Sequence, residues 1–358
     1  MIPPSTPSLS PTPPVCHDLG VTASILPFRP SSPKPSLDPL LTLVAADLRE
    51  VNAVILGRMN SDVALIPELA GHLIAGGGKR MRPMLTLAGA RLLDYPGTRQ
   101  HKLAAAVEFI HTATLLHDDV VDNSGLRRGR RTANIIWGNP ASVLVGDFLF
   151  ARAFELMVED GSLRALKVLS HASAVIAEGE VEQLTATRRI ETGQEQYLRI
   201  IGAKTAALFA AASRIAAVVA EAGEGTEQAL DAFGRNLGIA FQLVDDHIDY
   251  AGDEGAMGKG VGDDFREGKM TLPVILAYAR ADEPDRAFLK QAIAGGEAGD
   301  AELARTLDIM RGTDALADTL GHARHYGQRA IDALGPFPTS AAKRALTEAV
   351  EFAVSRGY

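Results

Sequence analysis

Two acidic clusters of one form, each inside an apolar helical stretch, most strongly limit what this chain can fold into. The first spans residues 118–122 (DDVVD) and the second residues 245–249 (DDHID), so each has carboxylates at positions i, i+1 and i+4. This spacing puts the three carboxylates of a cluster on one face of a helix. Carboxylates this close repel one another unless a cation lies between them. Because Mg²⁺ binds hard oxygen ligands and lets phosphate oxygens complete its coordination, the pair predicts a cavity holding several Mg²⁺ ions around one diphosphate.

Acidic residues at this spacing also occur on solvated helix faces, which is the main alternative. The first cluster, however, lies among the apolar residues Ala113, Leu115, Leu116, Val120 and Val121. A solvated helix is rarely so apolar, and the same pattern recurs later in the chain. Arg127 and Arg128 follow the first cluster, and a guanidinium can bind phosphate oxygens through two parallel hydrogen bonds. The stretch therefore indicates a metal-bridged diphosphate site.

The chain divides into a tail and one predicted all-α domain. Residues 1–37 hold more than half of the nineteen prolines, among many serines, which predicts a disordered tail. From residue 38 to residue 358, apolar residues recur at helical spacing, beginning at an Asp-Pro start signal. The net charge of −8 disfavours a nucleic-acid partner. The single cysteine, Cys16, excludes an intrachain disulfide and suits a reducing, cytoplasmic location.

Two further segments carry positive charge beside glycines. GGGKRMRP at 76–83 brings Lys79, Arg80 and Arg82 next to backbone that can approach a ligand closely. The Gly-rich stretch after the second cluster contains Lys259 and Lys269, and such a loop can order over a substrate and exclude water. A long helix is expected over residues 197–221, but its uncharged run is far below the ~20 residues that a bilayer requires. We therefore expect no transmembrane segment.

These motifs resemble those of a known family, the trans-isoprenyl (polyprenyl) diphosphate synthases. The resemblance rests on GGGKRMRP, the first acidic cluster with its arginines, GAKTAALF at 202–209, FQLVDD at 241–246 and GKGVGDDFREGKMTLP at 258–273. It is strongest to the bacterial long-chain octaprenyl and decaprenyl diphosphate synthases. It implies an all-α, isoprenoid-synthase-type helical bundle around a central substrate cavity. It also implies a homodimer that makes transient membrane contact for product release.

The resemblance implies a reaction between isopentenyl diphosphate and an allylic diphosphate such as farnesyl diphosphate. The carboxylates expected to bind Mg²⁺ directly are Asp118, Asp122 and Asp245, and the further ligands or their supporting partners are Asp119, Asp246 and Asp249. The residues expected on the allylic side are Arg127, Lys204, Thr205, Gln242, Lys259 and Lys269. The residues expected to bind isopentenyl diphosphate are Lys79, Arg82, His111 and Arg128. No nucleophilic side chain is required.

Several of these positions have plainer interpretations. His111 shares a helix face with Asp118, but a lone histidine in apolar sequence is also common as a core residue. Arg80 is expected to be solvated. Asp147 would either support the first acidic cluster or have a structural role. EGEVEQL contains Glu178, Glu182 and Gln183, and its glutamates are interpreted as mostly structural.

The residues just before the first cluster bear on product length. Thr114 lies one helical turn before Asp118, and Ala113 is next to it. In the resembling family, short-chain enzymes carry a bulky aromatic residue at one of these positions. Both residues are small here, which predicts a long product of eight to ten isoprene units, for use as the ubiquinone side chain. The alternative is that Ala113 is simply a close-packed helix contact.

Other functions remain open from the sequence. A shorter-chain farnesyl or geranylgeranyl diphosphate synthase would share most of the motifs. A terpene cyclase would not need the GGGKRMRP and His111 site, and a non-catalytic subunit of a heteromeric synthase would typically have degraded acidic clusters. A calcium-binding structural protein is disfavoured because the chain has no twelve-residue EF-hand loop.

Overall fold

The computed structural model describes residues 35–75, 78–127, 129–251, 261–295 and 299–356. Three predictions concern positions outside these ranges: the disordered tail, apart from residues 35–37, and the substrate contacts of Arg128 and Lys259. The first helix begins at Asp38, where the sequence placed its start.

Within the described ranges the architecture is helical, and the all-α prediction is confirmed. The helices of the first half are α1 (Asp38–Arg58), α2 (Leu65–Ala75), α3 (Met81–Leu92), α4 (Arg99–Val121), α5 (Ala133–Trp137), α6 (Asn139–Asp160) and α7 (Leu163–Ala186). Those of the second half are α8 (Gln194–Ile201), α9 (Ala207–Val219), α10 (Glu224–Ala251), α11 (Asp263–Glu267), α12 (Leu272–Arg280), α13 (Glu283–Ala294), α14 (Asp300–Gly312), α15 (Ala315–Ala333) and α16 (Ala341–Ser355). A small antiparallel hairpin, β1 (Leu126–Arg127) and β2 (Arg130–Arg131), follows the first acidic cluster.

Local sequence accounts for many helix boundaries. The side chains of Ser162, Asp282 and Ser340 accept hydrogen bonds from backbone amides in the first turns of α7, α13 and α16, which satisfies donors that a helix leaves unpaired. Gly161 ends α6 in the left-handed conformation that glycine adopts most easily. These helix boundaries are therefore determined by capping residues that lie next to them in the sequence.

The core is built around α3, α4, α9 and α10, each of which contributes many buried residues. Glycines allow these helices to approach closely. A Cβ on Gly234 would lie 2.3 Å from the carbonyl oxygen of Phe209, and one on Gly238 would lie 2.6 Å from the Cα of Ala206. Both acidic clusters lie on these core helices, the first at the end of α4 and the second near the end of α10. A rigid scaffold therefore positions both.

The long helix expected over 197–221 is a continuous helical run whose middle, Gly202–Ala206, is a π-helical segment. The full run, Gln194–Val219, is the one stretch in the described ranges long and apolar enough to cross a membrane, but 78% of that window is buried in the protein. Its apolar composition is therefore explained by core packing. Extra π turns are frequent at functional sites, and this one carries Lys204 and Thr205.

The described part of the Gly-rich segment after the second cluster begins at residue 261 and contains a short helix. The short helix α11 forms there, and the backbone amides of Gly262 and Asp264 donate to the carbonyl and carboxylate oxygens of Asp249. The helices α12 and α13 follow, with a break after Arg280.

Candidate active site

In the first acidic cluster, the middle carboxylate is held by the protein and the outer two are more open. Asp119 is only 2% exposed, and its Oδ1 accepts hydrogen bonds from Nε and Nη2 of Arg127 at 2.9 and 2.7 Å. The side-chain amide of Asn134 donates to the Asp119 carbonyl oxygen at 3.0 Å. Asp118 and Asp122 are half-buried. Arg127 therefore anchors the cluster to the hairpin.

In the second cluster, too, the middle carboxylate is held by the protein and the first one is more open. Asp246 is 2% exposed, and its two carboxylate oxygens accept hydrogen bonds from the Tyr197 hydroxyl at 2.5 Å and the Gln242 amide at 2.7 Å. Thr205 in turn donates to Gln242 at 2.9 Å. Burial raises the pKa of Asp246 to about 8, against the opposing effect of its two hydrogen bonds. Asp245 is the exposed member of this cluster.

Asp249, the last residue of the second cluster, points towards α11. Its carboxylate accepts a hydrogen bond from the Asp264 backbone amide at 3.2 Å. Burial and the negative charge of the Asp264 side chain raise the pKa of Asp249 to about 8. Its position beside α11 suggests a role in holding the segment that carries Lys269.

Two lysines lie against the open carboxylates of the first cluster. Lys204 Nζ lies 2.8 Å from Glu180 and 3.8 Å from Asp118 Oδ2. Lys269 Nζ donates to Asp122 Oδ2 at 2.9 Å and lies 2.6 Å from Glu267. Two cations supplied by distant parts of the chain thus converge on the end of α4.

Burial and charge together set the protonation of these groups. Burial raises the pKa of Asp118, and Lys204 opposes that rise. Burial and the nearby Asp118 raise the pKa of Glu180 to about 6. Burial alone would lower the pKa of Lys269, but Asp264 and the other neighbouring acids raise it above its ordinary value. The lysine ammonium therefore stays charged at neutral pH.

The donor set fits a divalent cation shared with a ligand better than a cation held by the protein alone. Within the described ranges, no group of three or more His, Cys, Asp or Glu side chains is arranged to hold a metal ion. Asp118, Asp122 and Asp245 offer hard oxygens without the buried hydrogen bonds that hold the middle carboxylates. Mg²⁺ commonly takes one or two carboxylates and completes its coordination with waters and substrate phosphates. The residues present fit that arrangement.

A second group of cations lies over aromatic rings. Arg82 Nη1 lies 3.0 Å from His111 Nε2, and its guanidinium lies 4.4 Å from the centre of the Phe209 ring. Lys79 Nζ lies 4.5 Å from the Phe352 ring of α16. The Arg82–His111 contact brings together two residues that the sequence assigned to one substrate.

Arg356, near the end of the chain, joins this group. Its guanidinium lies 4.1 Å from the centre of the Phe241 ring, which in turn packs against Phe209 at 5.5 Å. Its Nη2 is buried and makes no hydrogen bond within the described ranges. Burial lowers the pKa of Arg356, and the charge of Asp245 opposes that effect. A buried guanidinium with a donor to spare is suited to binding an anion.

Two cavities open at this site. One has about 570 Å³ of empty volume, and its polar lining residues include Gln183, Tyr197, Lys204, Thr205, Gln242, Asp246, Asp264 and Lys269. The other has about 870 Å³, and its lining residues include Gly78, Arg80, His111, Thr112, Asp119 and Arg127. Four of the residues that the sequence assigned to the allylic substrate thus line the first cavity, Lys204, Thr205, Gln242 and Lys269, whereas Arg127 lines the second.

Sequence reasoning missed three residues of this site. Tyr197 had no motif to mark it, and Arg356 lies in an unremarkable C-terminal SRGY. Glu180 belongs to EGEVEQL, whose glutamates were interpreted as mostly structural. Its position next to a helical glycine could have indicated close packing at this point. Arg80, expected to be solvated, is partly buried and lies 3.8 Å from Glu108.

Two roles were considered for Asp147, support of the first acidic cluster or a structural role, and its contacts favour the structural role. It lies on α6 with its side chain 63% exposed, 3.4 Å from His117 Nε2. The reason is geometric: α6 packs with the face of α4 that carries His117, not with the face that carries Asp118. Gly146 leaves room there for the His117 ring.

The two positions linked to product length have different surroundings. Ala113 is fully buried in the main hydrophobic core. Thr114 is half-buried, and its hydroxyl donates to the His111 carbonyl oxygen at 2.8 Å. Neither residue lines the two cavities described above.

Comparison with known proteins identifies the family. The polyprenyl synthetase family model matches residues 63–310. Octaprenyl diphosphate synthase of Haemophilus influenzae is 45% identical over 323 residues, which are 90% of this chain and 98% of that protein. The fold is similar to that of a Caulobacter crescentus polyprenyl synthase complexed with calcium and isoprenyl diphosphate, with TM-score 0.88 and 53% identity over 91% of this chain and 100% of that one. It is also similar to a decaprenyl diphosphate synthase from Rhodobacter capsulatus, with TM-score 0.87 and 50% identity over 90% and 100% of the two chains. This protein therefore belongs to the polyprenyl synthetase family.

Proposed function

We propose that this protein is a trans-polyprenyl diphosphate synthase that adds isopentenyl diphosphate units head-to-tail to an allylic diphosphate. The observation that carries the proposal is the pair of acidic clusters, each anchored through its middle carboxylate and each leaving outer carboxylates more open. Two of the three relatives named above are an octaprenyl and a decaprenyl diphosphate synthase, which favours a long all-trans product of eight to ten isoprene units. A ubiquinone side chain is the proposed destination.

The allylic diphosphate is proposed to bind at the cavity that Lys204, Thr205, Gln242 and Lys269 line. Its carbon–oxygen bond must ionise, so the protein has to stabilise negative charge on the departing diphosphate. Lys204 and Lys269 are buried enough for their charges to act through a low dielectric, and both already face the end of α4. Arg127 anchors Asp119 in the structure and is proposed to contribute its charge to the same diphosphate.

 

Magnesium is the proposed cofactor. The groups that would hold it are Asp118 and Asp122 of α4 and Asp245 of α10, whose carboxylates are not used to anchor the clusters. When bound, such ions stabilise the negative charge of a diphosphate as Lewis acids. Asp119, Asp246 and Asp249 are proposed to support these ligands from behind, since each of their carboxylates already accepts hydrogen bonds within the protein.

Isopentenyl diphosphate is proposed to bind at the group of cations over aromatic rings. Lys79, Arg82 and His111 are joined there by Arg356, whose buried Nη2 is a donor suited to a phosphate oxygen. Arg128 completes the proposed set from outside the described residues. The double bond of this substrate attacks the allylic carbon, and the lost proton passes to the released diphosphate, so no side-chain nucleophile is needed.

A homodimer is proposed through the face formed by α5 and α6. That face exposes an unusual number of large apolar side chains, Ile135, Ile136, Val143, Leu144, Phe154 and Val158. Exposed apolar surface of this extent marks an interaction site. We further propose a cytoplasmic enzyme that touches the membrane only transiently, when its long apolar product leaves.

One assay separates this function from its rivals. Purified protein is incubated with farnesyl diphosphate, Mg²⁺ and radiolabelled isopentenyl diphosphate, and the dephosphorylated products are separated by chromatography. The proposal expects diphosphate release that depends on both substrates and on Mg²⁺, with products of eight to ten units. Diphosphate release from farnesyl diphosphate alone would indicate a cyclase, and products that stop at four units would indicate a short-chain synthase.

A further inference from the structure

Glu180 is a buried acid in a site that has to bind negatively charged substrates. It lies on α7, and its side chain is 22% exposed. Burial and the negative charge of nearby Asp118 both raise the pKa of Glu180. A diphosphate would be repelled by such a residue, so its presence needs a compensating partner.

That partner is Lys204. Lys204 Nζ donates to Glu180 Oε2 at 2.8 Å and lies 2.8 Å from Oε1 as well. On its other side the same ammonium lies 3.8 Å from Asp118. A lysine has a flexible four-carbon stem, and a short contact to both carboxylate oxygens restricts where its ammonium can lie.

The backbones that carry the two residues are also locked together. Gly179 precedes Glu180 and packs directly on the π-helical segment Gly202–Ala206. A Cβ at Gly179 would lie 2.7 Å from the Ala203 Cβ and 2.8 Å from the Lys204 backbone nitrogen. The distance between Glu180 and Lys204 is therefore set by close packing as well as by charge.

We propose that Glu180 is a positioning residue that holds the Lys204 ammonium beside Asp118, where it meets the allylic diphosphate. Glu180 acts on the substrate only through Lys204. The inference rests on the proposed function, because it assumes that Lys204 contacts this diphosphate.

A double-mutant cycle tests the inference. Glu180→Gln keeps the shape of the side chain and removes its charge, and Lys204→Met keeps the stem and removes the ammonium. Steady-state kinetics are measured for both single variants and the double variant, varying each substrate in turn. Glu178→Gln is the matched control, because Glu178 is exposed on the same helix. Thermal midpoints are measured for all variants.

The expected result is specific to one substrate. Glu180→Gln should raise the KM for the allylic diphosphate about threefold to tenfold and leave the KM for isopentenyl diphosphate and the thermal midpoint unchanged. In the Lys204→Met background the same change should not raise the allylic KM further, since two residues that act through one contact are not additive. Glu178→Gln should behave as wild type.

The outcomes that overturn the inference differ from those that overturn the proposed function. An equal effect of Glu180→Gln with and without the Lys204 ammonium would show that Glu180 acts independently. A lower thermal midpoint with both KM values unchanged would show a purely structural role. If Lys204→Met raises the allylic KM but Glu180→Gln does not, only the inference fails. If Lys204→Met has no effect on the allylic KM, both the inference and the proposed contact of Lys204 with the allylic diphosphate are wrong.

Discussion

At the scale of single residues, the two acidic clusters share one arrangement of a buried middle carboxylate and a more exposed first carboxylate. The middle carboxylate, Asp119 or Asp246, is buried and accepts hydrogen bonds from side chains of other elements. The first carboxylate, Asp118 or Asp245, remains more exposed. Burying an ionisable group without partners is costly, so the middle carboxylate has become an anchor that fixes the direction of its neighbours.

The first carboxylates should be essential for turnover. Asp118→Ala or Asp245→Ala should each reduce activity below about a tenth of wild type, equivalent to ~1.4 kcal/mol in the barrier. The thermal midpoint should be retained, because the anchoring contacts of Asp119 and Asp246 are untouched. Asp308→Ala, on the exposed face of α14, is the control. A variant that keeps more than that activity would exclude its residue as a metal ligand.

Tyr197 should matter for both stability and activity. Tyr197→Phe removes a hydroxyl that donates to a buried carboxylate, and an unsatisfied buried acceptor costs roughly 1–3 kcal/mol. We expect a lower free energy of unfolding in urea and a lower turnover. The matched change Tyr278→Phe, at a partly buried ring next to Arg286, should alter neither. Wild-type stability in Tyr197→Phe would mean that Gln242 suffices to hold Asp246.

At the scale of elements, close helix packing brings the functional side chains together. The π-helical segment turns Lys204 and Thr205 towards the site, and Gly179 of α7 lets that segment pack without an intervening side chain. Likewise, Gly234 and Gly238 let α10 approach the helical run that precedes it. A larger residue at any of these three positions would collide with the neighbouring helix.

Gly179→Ala should therefore be harmful, although alanine is the better helix former. Its methyl group would collide with Ala203 and the Lys204 backbone, and such overpacking typically costs about 1–3 kcal/mol. Urea unfolding and allylic KM should both change. Gly57→Ala is the control, because a Cβ there meets nothing within 4 Å and should stabilise α1 slightly. Equal behaviour of the two variants would show that α7 can move away at little cost.

We expect product length to depend on one element, the part of α4 before the first cluster. Ala113→Phe should shorten the product to about three or four isoprene units while sparing the first condensation, because a large ring in a packed region obstructs the space beside it. Ala113 is fully buried, so a lower thermal midpoint is expected as well. Product chromatography is the measurement. An active variant with products of unchanged length would place the length determinant elsewhere.

At the scale of the whole molecule, the exposed apolar face of α5 and α6 predicts assembly. Leu144→Glu places a charge where 66% of a leucine is exposed, and it should convert a dimer into monomers in analytical ultracentrifugation. Leu56→Glu is the control, because Leu56 is similarly exposed at 57% but lies on α1. Monomeric wild-type protein, or a dimer unaffected by Leu144→Glu, would contradict the proposed interface.

Short-range patterns in the sequence were enough to determine the helical class, the start of α1 at Asp38, and the helices that carry both acidic clusters. They also indicated the cations of the site, because charged residues beside glycines and carboxylates form local motifs. These features depend on residues within a few turns of one another, and helical periodicity records such relations directly.

Only the tertiary structure decided which carboxylates are anchored and which are open, because their partners are distant in sequence. Tyr197 reaches Asp246 from 49 residues away, and Lys269 reaches Asp122 from 147 residues away. The same holds for Glu180 with Lys204, and for Arg356 on the Phe241 ring. Asp147 shows the converse, since its nearness to the acidic motif in sequence did not bring it to the site. Helix packing sets which faces meet, and no periodicity within one helix contains that information.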